Sequence, residues 1–374
     1  MTASRIRLSA AVMSHPKRAD AAHALAARFP ELNVRVALDP EPDGPPSSLR
    51  SARLAWAAVD PEATHHLVLQ DDALPTEDFL ERLHALIEAH PDAALSLFTE
   101  WGSRTSYALR IAAMHGCDLT PVVDDYIPCV ALVLPRELAE GFEEYVLAKA
   151  AEGEPDDVAL LNYLTDRGIR TLMPVANLVD HDNAVSLVGN NVHGARTAAC
   201  LMPANPVDPG SAPTTHSVLT GLGTVPYYDF WGQYSDACVP DPSTVDGRMR
   251  SSARAFLLKQ GVTQDELVTE LRDSLARRPE REFLTDRVSE VVLTEVWIVS
   301  YLLGFLAAEL EGQRGASLDL TGPVATAALA TLGPGAIRRV VPSRWLPAVG
   351  AVLTPLLLDA VRAGMARAPL VPAA

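Results

Sequence analysis

An apolar run, Leu67-Val68-Leu69, ends without transition in Gln70-Asp71-Asp72. A buried strand does not tolerate unpaired charge, so the two acids must lie where the strand leaves the core. In an open α/β sheet that place is the carboxyl edge, where ligands bind in the crevice outside the strand ends. Adjacent carboxylates held there repel each other unless a cation or a donor-rich ligand comes between them. A divalent metal carrying a nucleotide diphosphate has the chemistry to do so.

The surrounding pattern predicts such a sheet. Between residues 5 and 190 strand-like and helix-like segments alternate, which implies a largely parallel sheet covered by helices. Strands are expected at Arg5–Met13, Asn33–Leu38, His65–Leu69, Ala93–Phe98, Cys129–Leu134 and Ile169–Met173. The first expected helix runs from the basic turn His15-Pro16-Lys17-Arg18 through Phe29. The second starts at a Ser47 or Ser48 cap and ends at Val59. Behind the acids, Thr76 is expected to cap a helix with Glu77 and Asp78 in its first turn, and Phe79, Leu83, Leu86 and Ile87 form its buried face. Pro135 starts another helix, and Asp156-Asp157 opens one that Gly168 terminates.

After Gly189 the character changes. Residues 191–242 read as a loop or linker with an aromatic cluster, Tyr227, Tyr228, Phe230, Trp231 and Tyr234, expected to pack on the first domain rather than to stack on a ligand. Residues 243–374 read as a helical domain, with helices expected at Gly247–Lys259, Gln264–Ala276 and Phe283–Glu311, then three shorter pieces. Residues 1–190 would be the ligand-binding domain. The segment Val291–Ala308 is apolar enough to raise the question of a membrane span, but Glu295 interrupts it, so a buried bundle helix and no membrane span are expected. The apolar tail helices read as core or a homodimer interface rather than a lipid anchor.

The net charge of −16 argues against nucleic acid and anionic membranes as partners. Four scattered cysteines without metal spacing fit reduced thiols in a cytoplasmic protein, and the first apolar run is a short strand rather than a secretory signal.

The stretch LVLQDDALPTEDFLERL resembles the core signature of GT-A fold glycosyltransferases, nearest to the family-25 type associated with lipopolysaccharide and collagen sugar transfer. The resemblance extends to HPKR at 15–18, to Asp39 after the second strand, to the helix PSSLRSARLAWAAV, and to PDDVALLNYLTDRGIRTLMPVANLVDHDNAVSLVG. It covers roughly residues 5–190 and implies a GT-A-like, Rossmann-like sheet that binds a nucleotide-sugar donor with Mn²⁺ or Mg²⁺ and transfers the sugar, with inversion, to a hydroxyl acceptor.

On that resemblance Asp72 is the metal carboxylate and His181 completes the shell. Asp71 and Gln70 face the donor, with Ser14 and Asp39 beside it. Arg18, Arg50 and Arg53 are candidates for the diphosphate. Asp157, or its neighbour Asp156, is the general base. The acceptor is expected among loops at 100–128 and 190–240. One departure is plain: the family's triplet begins with an acid, and here Gln70 stands in its place. It motivates a noncatalytic binding or assembly protein on the same scaffold as an alternative, beside a GT-A-like nucleotidyltransferase. The latter would want a glycine-rich loop that SAAVMSHPKRAD lacks. Asp124-Asp125 reads as a solvated turn, His15 as a turn residue, and His65-His66 as strand residues without a ligand role.

Overall fold

The computed structural model describes residues 6–187, 189–202, 217–230, 236–241, 250–314 and 317–368. The chain divides into two compact units: Met1–Thr99 with Asp124–Asn191 and Leu201–His216, and Glu100–Val123 with Val192–Cys200 and Ser217–Ala374. The division interleaves along the sequence instead of following the expected borders near 190 and 243.

In chain order the first part of the protein runs β1 (Leu8–Ser14), α1 (Ala19–Ala26), β2 (Arg35–Leu38), α2 (Ser48–Ala57), β3 (His65–Gln70), β4 (Ala73–Pro75), α3 (Phe79–Ala89) and β5 (Ala94–Ser96). Then come α4 (Arg104–Met114) and β6 (Leu119–Pro121), which belong to the second unit. The first unit resumes with β7 (Ala131–Pro135), α5 (Arg136–Lys149), α6 (Asp156–Asp166), β8 (Thr171–Pro174) and β9 (Val179–His181). Its six sheet strands lie in the order β2-β1-β3-β7-β5-β8. β1 is parallel to β2 and β3, β5 is parallel to β8, and only β7 runs against its neighbours. This is the α/β, mostly parallel sheet that the alternation implies.

The strands are buried on both faces, as parallel strands between helices must be. Leu67, Leu69, Leu132, Val133 and Leu134 are wholly inaccessible. Trp56 of α2 meets Phe142 of α5 edge-on, and Phe142 in turn meets Tyr163 of α6, so one layer of helices shares a continuous aromatic core. His66 lies inside it at 0% exposure, held by Ser9 Oγ and the Ala55 carbonyl, and burial lowers its pKa to about 4. It is a neutral core histidine, with the structural role its place in a strand suggests.

Local details differ from the expectation behind the acids. Thr76 does not cap α3. Residues 73–75 remain extended because β4 pairs with β9, and the Thr76 N–H donates to the Leu178 carbonyl. The helix therefore starts only at Phe79 with Asp78 at its N-cap, and its expected face, Phe79, Leu83, Leu86 and Ile87, is buried. His181, expected in a loop, closes β9.

The second unit opens with a surprise for the sequence pattern. Residues expected to form an acceptor loop within 100–128 include α4, buried at every position from Thr105 to Met114. A helix surrounded on all sides shows no amphipathic stripe for periodicity to detect. Arg110, at 0% exposure, is satisfied by neutral acceptors: the carbonyls of Trp101 and Ala328, Ser106 Oγ and Thr331 Oγ1.

Further along come β10 (Tyr227–Asp229), β11 (Asp236–Pro240) and β12 (Arg250–Ser252), an antiparallel sheet whose first two strands lie in the expected linker and whose third takes residues of the helix expected over Gly247–Lys259. Tyr227 and Tyr228 are buried in it, whereas Trp231, Tyr234 and the expected helix start at Gly247 lie outside the described residues. The helices are α7 (Ala253–Lys259), α8 (Gln264–Ala276, as expected), α9 (Arg281–Thr285), α10 (Glu290–Arg314), α11 (Pro323–Ala330), α12 (Leu332–Ile337) and α13 (Leu346–Arg367). The single helix expected over Phe283–Glu311 is thus two, and the last of the expected short pieces is 22 residues long.

α10 and α13 approach so closely that a Cβ on Gly364 would lie 1.9 Å from the Tyr301 carbonyl oxygen. Glu295, the residue that interrupts the apolar run, accepts from the Ala237 N–H and pairs with Arg254. Two helical stretches, Glu290–Gly312 and Ser343–Arg367, are long and apolar enough to cross a membrane. In the first, 83% of the most apolar window is buried within the protein, in the second 44%.

Candidate functional site

The parallel strands β1, β2 and β3 end at one edge. Register fixes this: Ser14 stands opposite Leu38 on β2, and Met13 opposite Gln70 on β3. Ser14, Asp39 and Gln70-Asp71-Asp72 therefore emerge side by side, at the strand ends where such sheets bind ligands. β7, antiparallel to β3, begins at the same edge, and the Gln70 N–H donates to the Val130 carbonyl.

Three groups of side chains assemble there. In the first, Arg18 places one guanidinium nitrogen between the two acids, 3.1 Å from Asp71 Oδ1 and 3.2 Å from Asp72 Oδ2. Its other terminal nitrogen donates to the Val185 carbonyl, and Ser14 Oγ donates to Asp71 Oδ2. Burial pushes the Asp71 carboxyl up, and the Asp72 charge adds to this against the pull of Ser14 and Arg18. The repulsion anticipated between the acids is thus relieved by a cation from the chain itself.

β9 brings His181 to the same group, since its backbone stands opposite Ala73 and the Asp182 N–H donates to the Asp72 carbonyl. His181 Nε2 lies 3.3 Å from Asp72 Oδ2, without the alignment of a hydrogen bond. The imidazole is 3% exposed, and neither ring nitrogen has a hydrogen-bond partner. A buried imidazole beside a carboxylate oxygen is an incomplete donor set, and a divalent cation that accepts both nitrogen and oxygen, such as Mn²⁺, would complete it. Among the described residues no three His, Cys, Asp or Glu side chains converge to hold a metal. Two protein ligands fit a cation that takes its remaining oxygens from phosphate and water, the usual habit of Mg²⁺.

The second group surrounds Asp39, which is 6% exposed. Arg50 Nε and Nη2 each donate to one of its oxygens at 2.8 Å, and this pairing holds the carboxyl below its ordinary range. Arg50 also donates to the Pro45 and Glu41 carbonyls, so it fastens the 39–46 loop. The Asp39 N–H donates to the Ser14 carbonyl, which ties this group to the first.

The third group is the start of α6. Asp156 is 4% exposed; its Oδ2 accepts from Cys129 Sγ at 3.2 Å, and its N–H donates to Ser48 Oγ. Cys129 Sγ accepts from Gln70 Nε2 at 3.4 Å, so Gln70 links this group to the acids that follow it on the chain. Asp157 Oδ1 accepts from the Val158 N–H. Burial, with the charges of Asp156 and Asp125, pushes the Asp157 carboxyl up to about 7. An acid near that value exchanges protons at neutral pH, which is what a general base or acid must do.

Ser14, Arg18, Gln70, Asp71, Asp72 and His181 thus form the heart of the site; Asp39 joins it through its N–H bond to the Ser14 carbonyl, Asp156 through Cys129, and Asp157 only as the chain neighbour of Asp156. Two of the three arginines expected at a diphosphate have other partners. Arg50 is committed to Asp39, and Arg53, on α2, pairs with Glu143 of α5. Arg18 is at the site, but on the carboxylates. The sequence gives Ser48 only as a candidate helix cap and Cys129 only as the first residue of an expected strand, and neither is expected at the site. No protein-family model matches the chain, and no curated protein matches its sequence.

Proposed function

We propose that the chain is a GT-A-like glycosyltransferase that moves a sugar from a nucleotide-sugar donor to a hydroxyl acceptor, with inversion and with the aid of Mn²⁺ or Mg²⁺. One observation carries the reading: a buried His181 imidazole without a hydrogen-bond partner beside the Asp72 carboxylate, at the strand edge where Asp71, Ser14 and Arg18 also converge.

Asp72 and His181 would hold the cation. Bound there, it would offset the negative charge that grows on the departing diphosphate. Ser14, Asp71 and Gln70 offer hydrogen-bonding groups to the nucleoside. Arg18 is the cation of the site and would turn from the carboxylates to a phosphate through charge-assisted hydrogen bonds. Asp157 takes the proton from the acceptor hydroxyl as its oxygen attacks the anomeric carbon and the bond to the diphosphate breaks on the opposite face. A carboxyl poised near neutrality suits that proton transfer.

Thermal denaturation with nucleoside diphosphates, with and without Mn²⁺, tests the reading. A ligand at a hundred times its dissociation constant stabilises by about 2.7 kcal/mol, at roughly 2–4 °C per kcal/mol for a domain of ordinary size. Metal-dependent stabilisation by one nucleotide, lost in Asp72→Ala and in His181→Ala, is expected. No response to any nucleotide would overturn the donor site and favour a noncatalytic assembly role. Binding of nucleoside triphosphates with release of pyrophosphate would mark a nucleotidyltransferase instead.

A further inference from the structure

Gln70 and Cys129 form a hydrogen-bond relay that the proposed reaction does not use. Its direction follows from the donors. A glutamine amide nitrogen only donates, so the sulfur accepts there, and the single thiol proton goes to Asp156 Oδ2. The sulfur is deeply buried, and burial together with the charges of Asp156 and Asp157 holds the thiol well above its ordinary range, so the proton stays on sulfur.

We propose that Cys129 is the positioning residue of the acidic pair: its thiol, oriented by Gln70, donates to Asp156 and holds that carboxyl in place, leaving Asp157 as the member that exchanges a proton. The catalytic consequence rests on the reading of Asp157 as the base, whereas the geometry does not depend on sugar transfer. Two neighbouring buried carboxylates cannot both carry full charge cheaply, and a donor aimed at one of them decides which keeps it. Asp156 accepts from the thiol, whereas Asp157 accepts from the Val158 N–H and faces the charges of Asp156 and Asp125. Both sit in the first turn of α6, so the helix dipole favours charge on either and does not discriminate. The thiol is what makes them unequal.

The same geometry explains the glutamine where an acid would be expected. A carboxylate at position 70 has no proton to give the sulfur at neutral pH. It would also add a further negative charge to a network that already holds Asp71, Asp72, Asp156 and Asp157. Gln70 is therefore matched to Cys129.

Carboxyl-¹³C aspartate NMR of the full chain tests this, with Asp156 and Asp157 assigned from the Asp156→Asn and Asp157→Asn spectra. Cys129→Ala should lower the Asp157 midpoint by about one pH unit, because Asp156 loses the donor that holds it beside Asp157. Cys129→Ser keeps a donor and should restore values close to the parent. Gln70→Leu, which leaves the thiol but frees its orientation, should move the Asp157 midpoint in the same direction by less. An Asp157 midpoint unchanged in Cys129→Ala overturns the proposal, as do equal shifts in the alanine and serine variants, which would indicate packing alone. Should Cys129→Ala not fold, an unchanged Asp157 midpoint in Gln70→Leu overturns it. Absence of any sugar transfer would refute the glycosyltransferase reading and leave these titrations standing.

Discussion

Replacing Asp157 with asparagine should stabilise the protein at pH 8 far more than at pH 4. The carboxyl titrates near 3.8 when unperturbed and near 7 in the folded chain, because burial and Asp156 oppose its charge. Well below pH 4 it is protonated in both states and contributes nothing. Above pH 7 it is ionised in both, and the folded state carries the whole penalty. Its contribution therefore becomes more destabilising as the pH rises between those limits. At 1.36 kcal/mol per pH unit the ceiling is roughly 4 kcal/mol. Asp156 shares the charge and the new amide must find a partner, so a gain of about 2–3 kcal/mol is expected, or roughly 5–10 °C in melting temperature.

His66 works in the opposite direction over the same range. Its pKa falls from 6.5 to about 4 on folding, so acid weakens the fold as the pH drops through 6.5. The parent melting curve by itself is thus uninformative, and the quantity to measure is the difference between variant and parent at each pH from 4 to 8. An equal difference at both ends, or a loss of stability at pH 8, would refute the electrostatic account of Asp157. If Asp157 is the base, the same variant keeps donor binding and loses transfer, so one substitution separates stability from function.

Three further outcomes are expected. Arg50→Ala strips Asp39 of its bidentate partner and should cost about 2–4 kcal/mol in urea unfolding at neutral pH. The gap to the parent should close in strong acid, because the paired Asp39 has a depressed pKa and its contribution is lost as the pH falls through it. Gly364→Ala drives a methyl into the Tyr301 carbonyl at the α10–α13 crossing and should destabilise by about 1–3 kcal/mol or more, read as a lower melting temperature; an unchanged melt would mean that the helices separate freely. Arg18→Gln removes the cation from Asp71 and Asp72. The variant should melt lower than the parent without metal and gain more from added Mn²⁺, and an equal gain in both proteins would show that Arg18 and a metal do not compete for these oxygens.

Much of the sheet could be read from the chain because its cause is local. Leu67-Val68-Leu69 is an apolar run that only a strand between two helix layers buries, and the acids after it mark the edge by the cost of burying charge. The same holds for α8, whose Thr263–Glu266 capping box starts the helix at the expected residue. What could not be read depends on contacts between distant residues. α4 gives no periodic signal because every side of it is covered, so a buried helix passes for a loop. Thr76 has the residue type of a cap, but β9 pairs with β4 and draws the Thr76 backbone into an extended form, and a propensity of a fraction of a kcal/mol does not resist that.

The site divides along the same line. The acids, the serine that ends β1 and the arginine after it belong to short segments whose position at a strand end is set by the strands themselves, and they meet at that edge. Arginines are different, since a long side chain with five donors serves whichever carboxylate lies nearest. Arg50 and Arg53 stand on α2 within reach of Asp39 and Glu143, and those pairs form at once without any ligand. Composition says that cations lie near the edge; which anion each one serves is decided only by packing. Cys129 shows the converse. A buried thiol at the start of a core strand looks inert, and in isolation it would be. It acquires a role because β7 runs antiparallel to β3, which sets its sulfur between the residue that ends β3 and the acid that opens α6. Had β7 been parallel, its other end would have stood at this edge, and neither Gln70 nor Asp156 would have a neutral partner between them.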